Sequence, residues 1–478
     1  MKLSQNDNIS AFEQQPYEKR FLWLSLAVFT FYFLLALKTS FYLSAGFMVA
    51  VPLLLMFAYY LFKIPGLSIG LMIAATSLDV VGRLSGEGAS IPVTVFHLMF
   101  FISLIIVVLK KIWNIDSKFR STKIDFALLL FLVYIAITIF WARDREDAVI
   151  NLARLIALVI CMYVTLNLIE SKASIKLTVF FIFLSAFALS AYSSRDFLTA
   201  SSVQVKNSLA MLKLFSRFGA TFDNPNYFAT FLLLPLCLAF AGFVFLKIPY
   251  WKKILVFLMP SSLFVVAFVG TFSRSAWVAL FISFIYMFTY FKHKKVWIIV
   301  VSIAGIVAVI ALFQTAFFQS FVLRFASIFE GKADSSSATR VYLFKGGWQM
   351  FLNSWFLGVG YQSFPTEYAN YKPPSQTLGY VLESHTLPME MLAELGLIGF
   401  ALFVYLFSKV LKDGVLSIRK IEDNFWRTFQ IGFVAFYIGL MINYCFMPDG
   451  LLSNLLWIAI GLIYGIKYIA EPKDVEIE

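Results

Sequence analysis

Residues 224–246, NPNYFATFLLLPLCLAFAGFVFL, decide the fold. Asn224 is of the type that caps a helix and Pro225 suits the first helical position, so a helix starts here. No charged residue then occurs until Lys247. A run of about 20 apolar residues, each rising about 1.5 Å, matches the hydrocarbon thickness of a bilayer. The stretch reads as a membrane-spanning helix.

The rest of the 478 residues repeats the pattern, with 60% hydrophobic and 14% charged residues and a mean hydropathy of +0.82. These values lie outside the range of soluble chains and indicate an integral membrane protein. Fourteen segments approach the length of a span: 21–37, 41–62, 64–82, 91–109, 126–142, 148–168, 175–192, 226–246, 254–270, 275–291, 296–313, 394–411, 428–446 and 452–469. The first lacks a small-residue cleavage pattern and reads as an uncleaved span, not a signal peptide. The expected fold is all-α: a polytopic membrane bundle of about 14 spans (12–14) with a large outer-face loop domain containing short helices. Cys161, Cys237 and Cys445 fall in apolar runs without metal-like spacing and read as small core residues.

Orientation follows from the Lys and Arg residues that collect in short cytoplasmic loops. With the N-terminus inside, the inner loops hold Lys110, Lys111, Lys118, Arg120 and Lys123, then Lys247, Lys252 and Lys253, then Lys292, Lys294 and Lys295, then Lys412, Arg419, Lys420 and Arg427. Both termini are expected in the cytoplasm. The net charge of +12 is then mainly a topology signal, aided by membrane lipid, and does not point to nucleic acid. The division is residues 1–192 as N-terminal spans, 193–225 as a first outer loop, 226–313 as central spans, 314–393 as the large outer loop and 394–478 as C-terminal spans and tail. No internal repeat or inverted pair of broken helices appears, which weighs against a transporter or flippase. Those functions would also place their working charges near mid-membrane.

The notable charges lie instead at the outer edge. Arg217 precedes the cap Asn224 and Asn226, so an arginine stands beside a helix N-terminus, an arrangement suited to an anion; a snorkelling arginine fits the same residues. Arg274 sits in a tight external hairpin, where burial of its charge calls for an anionic partner or for lipid head groups. Arg154, in the sixth span, faces the same choice. Arg340 is expected in the first turn of an amphipathic helix whose Val341, Phe344, Trp348, Phe351 and Trp355 form a stripe lying on the membrane or on the bundle. Gly346-Gly347 is a place where that helix would break. Gly358-Val359-Gly360 reads as a turn, since no strand precedes it and no Lys-Ser/Thr follows.

His385 stands just ahead of Pro388, near a helix start whose partial positive charge keeps the imidazole neutral and suited to act as a general base. Neither a metal centre nor a serine triad finds support. His385 has no second histidine at ligand spacing, and no serine has a strand-turn-helix setting.

GATFDNPNYFA (219–229), TFSRSAWVAL (271–280), Arg340 with Trp348 and Gly358-Val359-Gly360, and ESHTLPMEMLAELGLIG (383–399) together resemble the motifs of the O-antigen ligase and O-antigen polymerase superfamily, in family order, over about residues 200–400. The resemblance implies a GT-C-like, all-helical membrane glycosyltransferase. Its donor would be an undecaprenyl-diphosphate-linked glycan, used on the outer face of the bacterial inner membrane without a metal or other cofactor. Lipid A-core would be the acceptor of a ligase and a growing glycan that of a polymerase, with other polysaccharide-assembly proteins as partners. By motif, Arg217 and Arg274 would bind diphosphate, Arg340 phosphate or sugar, and His385 would deprotonate the acceptor hydroxyl. Thr386 departs from the Asn that often follows this histidine. Asp449, in the last outer turn, is a further candidate to polarise His385 or contact sugar.

Overall fold

The computed structural model describes residues 56–78, 81–84, 93–113, 118–200, 217–291, 335–372, 384–448 and 450–472. Among these the secondary structure is helical apart from one isolated bridge between Arg83 and Thr94. The principal helices are α1 (Pro65–Thr76), α2 (Val95–Trp113), α3 (Asp125–Thr138), α4 (Arg145–Leu168), α5 (Lys172–Ala200), α6 (Pro225–Phe245), α7 (Tyr250–Gly270), α8 (Arg274–Phe288), α9 (Ser335–Asn353), α10 (Leu387–Lys420), α11 (Asn424–Tyr444) and α12 (Asn454–Ala470).

Among the described residues seven helices are long and apolar enough to cross a membrane: α2, α4, α5, α6, α7, α10 and α11. A short helix, Met56–Lys63, joins α1 through a bend of 110° to make an eighth, as a broken span or re-entrant loop. Asp125–Trp141, α8 and α12 are shorter apolar helices. The described residues therefore form an all-helical membrane protein. Of the expected spans, 21–37, 296–313 and most of 41–62 lie outside the described residues; each of the others falls on one of these helices.

Several expected boundaries move. α5 does not stop at 192 but runs to Ala200, and the Ser193 and Ser194 hydroxyls are satisfied within the helix by Ser190 O at 3.2 and 2.7 Å. α1 ends at Thr76, short of the expected 82, where Ser77 turns its N–H and hydroxyl onto Ala74 O. The division at 393/394 cuts through α10, which starts at Leu387.

Helices α6 and α11 form the centre, with 78% and 72% of their apolar windows buried against 28% for the peripheral α2. α11 packs on α6, α8, α10 and α12. Close approach depends on small residues, as lipid-facing helices gain nothing from mutual apolarity alone. A Cβ on Gly432 of α11 would stand 2.9 Å from the Leu238 side chain of α6, and one on Gly461 of α12 would stand 2.6 Å from Met162 O of α4. The Ser283 hydroxyl of α8 reaches Ala435 O of α11 at 2.9 Å.

The two ends of the bundle differ. One gathers the expected basic loops, tied by Lys172–Asp423 (2.6 Å), Lys420–Glu471 (2.7 Å) and Lys110–Glu170 (2.8 Å). The other holds Arg217, Arg274, Arg340 and His385, with Arg143–Glu367 (3.0 Å) and an Arg83–Asp223 pair beside them.

Candidate active site

At the second end, short runs between helices carry the charged residues. The Asn224 carboxamide accepts the Asn226 N–H at 2.9 Å and Pro225 opens α6, as the sequence leads one to expect. Arg217 is held across this start: its Nε donates to Thr271 O at 2.8 Å and its Nη2 to Asn226 Oδ1 at 2.7 Å. Phe218 N–H donates to Gly270 O at 3.0 Å, and the Phe218 ring lies where a Cβ on Gly270 would be. The 217–218 segment is thereby fixed on the turn that leads to α8. Arg274 is the first residue of α8, three positions after Thr271. Arg217 and Arg274 thus flank one turn, and both are half-buried.

The second pair comes from α9 and α10. α9 begins at Ser335, so Arg340 falls in its second turn and not in the first. Nor does α9 break at Gly346-Gly347. A Cβ on Gly346 would stand 2.5 Å from the Tyr368 ring, and one on Gly347 2.7 Å from Met389 and 2.9 Å from Phe364. The glycines let the helix lie closely over the Phe364–Glu367 turn and the start of α10. Leu343 and Met350 are buried there with Phe364, Tyr368 and Ala393. Of the expected stripe, Val341, Phe344, Trp348 and Trp355 are exposed, away from the bundle, and Phe351 is half-buried.

His385 precedes the cap residue Thr386 with a left-handed backbone, φ 54°. That conformation is held by Ser384, whose hydroxyl accepts Thr386 N–H at 3.2 Å and donates to the buried Glu390 carboxylate at 2.7 Å. The imidazole is half-buried. Burial first, and then the positive charge of Arg340, push its proton affinity below the ordinary value of 6.5, which favours the neutral imidazole. Arg340 and His385 are therefore within electrostatic reach. The two pairs are linked through packed contacts at the same end. Thr230, one turn into α6, meets Asn443 Nδ2 at 2.7 Å and Met447 Sδ at 3.4 Å, and Gly450 packs against Leu387 at the start of α10.

The Gly358-Val359-Gly360 turn has a structural role that its sequence does not disclose. α10 is interrupted at Gly396, whose φ of 62° and ψ of −166° only glycine readily adopts. In an unbroken helix Leu397 and Ile398 N–H would bond Ala393 and Glu394 O. Here Val359 and Gly360 N–H take those carbonyls at 3.0 and 2.9 Å, while Leu397 and Ile398 N–H turn to Trp355 and Phe356 O at 2.9 and 3.4 Å. The buried Glu394 carboxylate secures the strap by accepting Gln362 and Phe364 N–H at 2.8 and 2.9 Å. Ser384, Glu390 and Glu394 were not among the expected site residues. The available signal was Glu394 itself, an acid inside an apolar run, which is costly there without partners.

Of the two further candidates the structure describes only Arg154, which stands apart from the group. Arg154 lies about 13 Å along α4 from its start, at about 1.5 Å per residue, and bonds Asn151 on its own helix at 2.9 Å. Asp449 lies outside the described residues. A cavity of about 420 Å³ opens beside the Ser384–Glu390 pair, with Asp144, Asp147, Gln362 and Glu394 on its walls; Arg217, Arg274, Arg340 and His385 do not line it.

Residues 259–404, from α7 to the middle of α10, match the model of the O-antigen ligase family. The match covers less than half of the chain and supports an assignment to the O-antigen ligase and polymerase superfamily. Among the curated proteins no sequence matches the chain. The superfamily match spans Arg274, Arg340 and His385, whereas Arg217 and the α6 cap precede it. The match supports a membrane enzyme of glycan processing, of ligase or polymerase type.

Proposed function

We propose that the protein transfers a glycan from undecaprenyl diphosphate to an acceptor hydroxyl at the outer face of the inner membrane, as an O-antigen ligase acting on lipid A-core. The observation that carries this reading is His385: a half-buried imidazole held in a left-handed turn at a helix start, its proton affinity lowered by burial and by the Arg340 charge. In the proposed step the acceptor O–H gives its proton to His385 as its oxygen attacks the anomeric carbon. The bond from that carbon to the diphosphate breaks, and its electron pair leaves with the diphosphate. Arg217 and Arg274 stabilise the departing charge bidentately, with Arg340 on phosphate or sugar. Direct attack inverts the anomeric centre.

The reaction needs no metal, because the guanidinium groups supply the positive charge. Sugar hydroxyls find acceptors in the carboxylate-walled cavity beside Ser384. The proposed fold is a GT-C-like bundle of about fourteen spans with both termini in the cytoplasm. The exposed stripe of α9 then rests on the outer leaflet, as an interfacial helix does.

Reconstitution with purified lipid-linked oligosaccharide tests the assignment. Product that forms only when lipid A-core is present establishes the ligase. Product that lengthens without core assigns the chain to the polymerase branch, and absence of transfer under both conditions rejects glycan transfer from this donor.

A further inference from the structure

At the end of the bundle opposite His385, a groove of about 780 Å³ runs between α5, α7 and the start of α11. Its floor is aromatic: Phe183 of α5 and Phe257 of α7 are buried and meet edge to face at 6.0 Å. Phe257 is locked from beneath, because a Cβ on Gly242 of α6 would stand 2.4 Å from its ring. One wall is Phe180, Leu184 and Phe187 of α5, all exposed. The other wall includes Leu255 and Val256, which belong to a single π-helical turn, Ile254–Leu258. Such turns insert a residue into an α-helix at a cost and occur frequently at functional sites. This one turns Phe257 inward while Leu255 and Val256 stay exposed on the rim.

The mouth of the groove is positive. Lys176 and Lys247 are exposed there, with Lys176 Nζ 5.8 Å from the Phe425 ring centroid. The one carboxylate at the mouth, Asp423, is already engaged: it pairs with Lys172 at 2.6 Å and caps α11 by accepting Phe425 and Trp426 N–H. Asn424 fixes the neighbouring turn by accepting Lys247 N–H at 2.7 Å and donating to Phe245 O at 2.9 Å. From Lys176 to Phe187, α5 rises about 16 Å at about 1.5 Å per residue, the depth of one leaflet of a hydrocarbon core about 30 Å thick. An apolar trough of leaflet depth with uncompensated lysines at its polar end fits a single kind of occupant.

We propose that this groove binds an anionic phospholipid, with its phosphate between Lys176 and Lys247 and an acyl chain along Phe180, Leu184 and Val256. The site lies at the other end of the bundle from the glycan chemistry and does not rest on that reading. It differs from general annular lipid contact in selecting head-group charge, since each lysine near a membrane surface strengthens attraction to anionic lipid about fivefold.

The test is native mass spectrometry of the full chain in detergent, titrated with phosphatidylglycerol and with phosphatidylcholine of the same acyl chains. The expected result is preferential retention of phosphatidylglycerol. The double variant Lys176→Gln/Lys247→Gln, at exposed positions, should weaken phosphatidylglycerol about thirtyfold and leave phosphatidylcholine unchanged. A second variant, Val256→Trp, fills the trough and should reduce retention of both lipids. Equal retention of the two lipids by the unaltered protein, undiminished phosphatidylglycerol binding by the double variant, or undiminished retention of both lipids by Val256→Trp overturns the proposal.

Discussion

Gly396→Ala tests the device that sets the first half of α10. Alanine cannot readily adopt φ 62°, ψ −166°, and strain of this kind costs about 1–3 kcal/mol. Its Cβ would also stand 2.5 Å from Gly358 N and Phe356 O, backbone atoms that cannot rotate away. The chain has an escape: α10 could straighten, restoring two helical bonds and placing Ala in a helix interior, better than Gly by about 1 kcal/mol. Straightening, however, gives up the four strap bonds for those two, a net loss of about 1–3 kcal/mol. It also strips the buried Glu394 carboxylate of two N–H donors, each worth about 1.5–3 kcal/mol. The losses exceed the relief, so the break persists under strain and the variant is destabilised by at least about 1–3 kcal/mol. Thermal unfolding of the purified protein in detergent should show a lower Tm, with glycan transfer reduced because His385 rides on the strained segment. Adding Glu394→Gln removes the anchor that decides the balance, so the two changes should be non-additive. A Gly396→Ala protein with unchanged or higher Tm and full transfer refutes the reasoning.

His385→Ala should abolish transfer while leaving expression and donor binding intact, and normal transfer by this variant removes the general base from the mechanism. Arg274→Ala should weaken binding of the lipid diphosphate about tenfold or more, the worth of a charge-assisted hydrogen bond; unchanged affinity in a lipid-diphosphate binding assay would assign Arg274 to lipid head groups instead. Arg340→Gln tests whether the Arg340 charge acts on His385. The base works only when neutral, so activity falls as pH drops through its pKa, which lies below 6.5 because of burial and the Arg340 charge. Removing that charge lifts one of the two depressing influences, so the acid limb of the kcat/KM profile should move to higher pH. An unmoved limb shows that Arg340 and His385 are not coupled.

Much of the fold is legible because a bilayer writes its thickness into composition. Each expected span within the described residues coincides with a helix, and the Asn224-Pro225 start of α6 falls where local capping rules place it. The misread glycines share one cause, which is that the deciding contact is distant in the chain. Gly346-Gly347 looks like a weak point to any rule of helix propensity, yet Tyr368, Phe364 and Met389 need the space that a side chain would fill. Gly396 looks like an ordinary glycine in an apolar helix. Its conformation depends on hydrogen bonds from residues 355–360, which no pattern within α10 can report.

The same reasoning explains why the site motifs are short and lie on turns. Among the described residues four non-glycine positions have positive φ, at Ala220, Phe272, Gln362 and His385, and all four lie at the end of the bundle that carries the candidate site. A bulky residue such as Phe272 is an outlier there and persists only where neighbours over-determine it. Phe272 is held between Thr271, whose carbonyl receives Arg217, and Arg274 at the start of α8. Gln362 is held by the Glu394 carboxylate and His385 by the Ser384–Glu390 pair. Ala220 lies in the loop between Arg217 and the Asn224 cap, tied to Ser77 O through the Thr221 hydroxyl. In each case a buried or bonded polar group compensates for a backbone that would otherwise relax. Near Ala220, Phe272 and His385, relaxation would displace Arg217, Arg274 or the imidazole, so strain and candidate site residues share the same short turns.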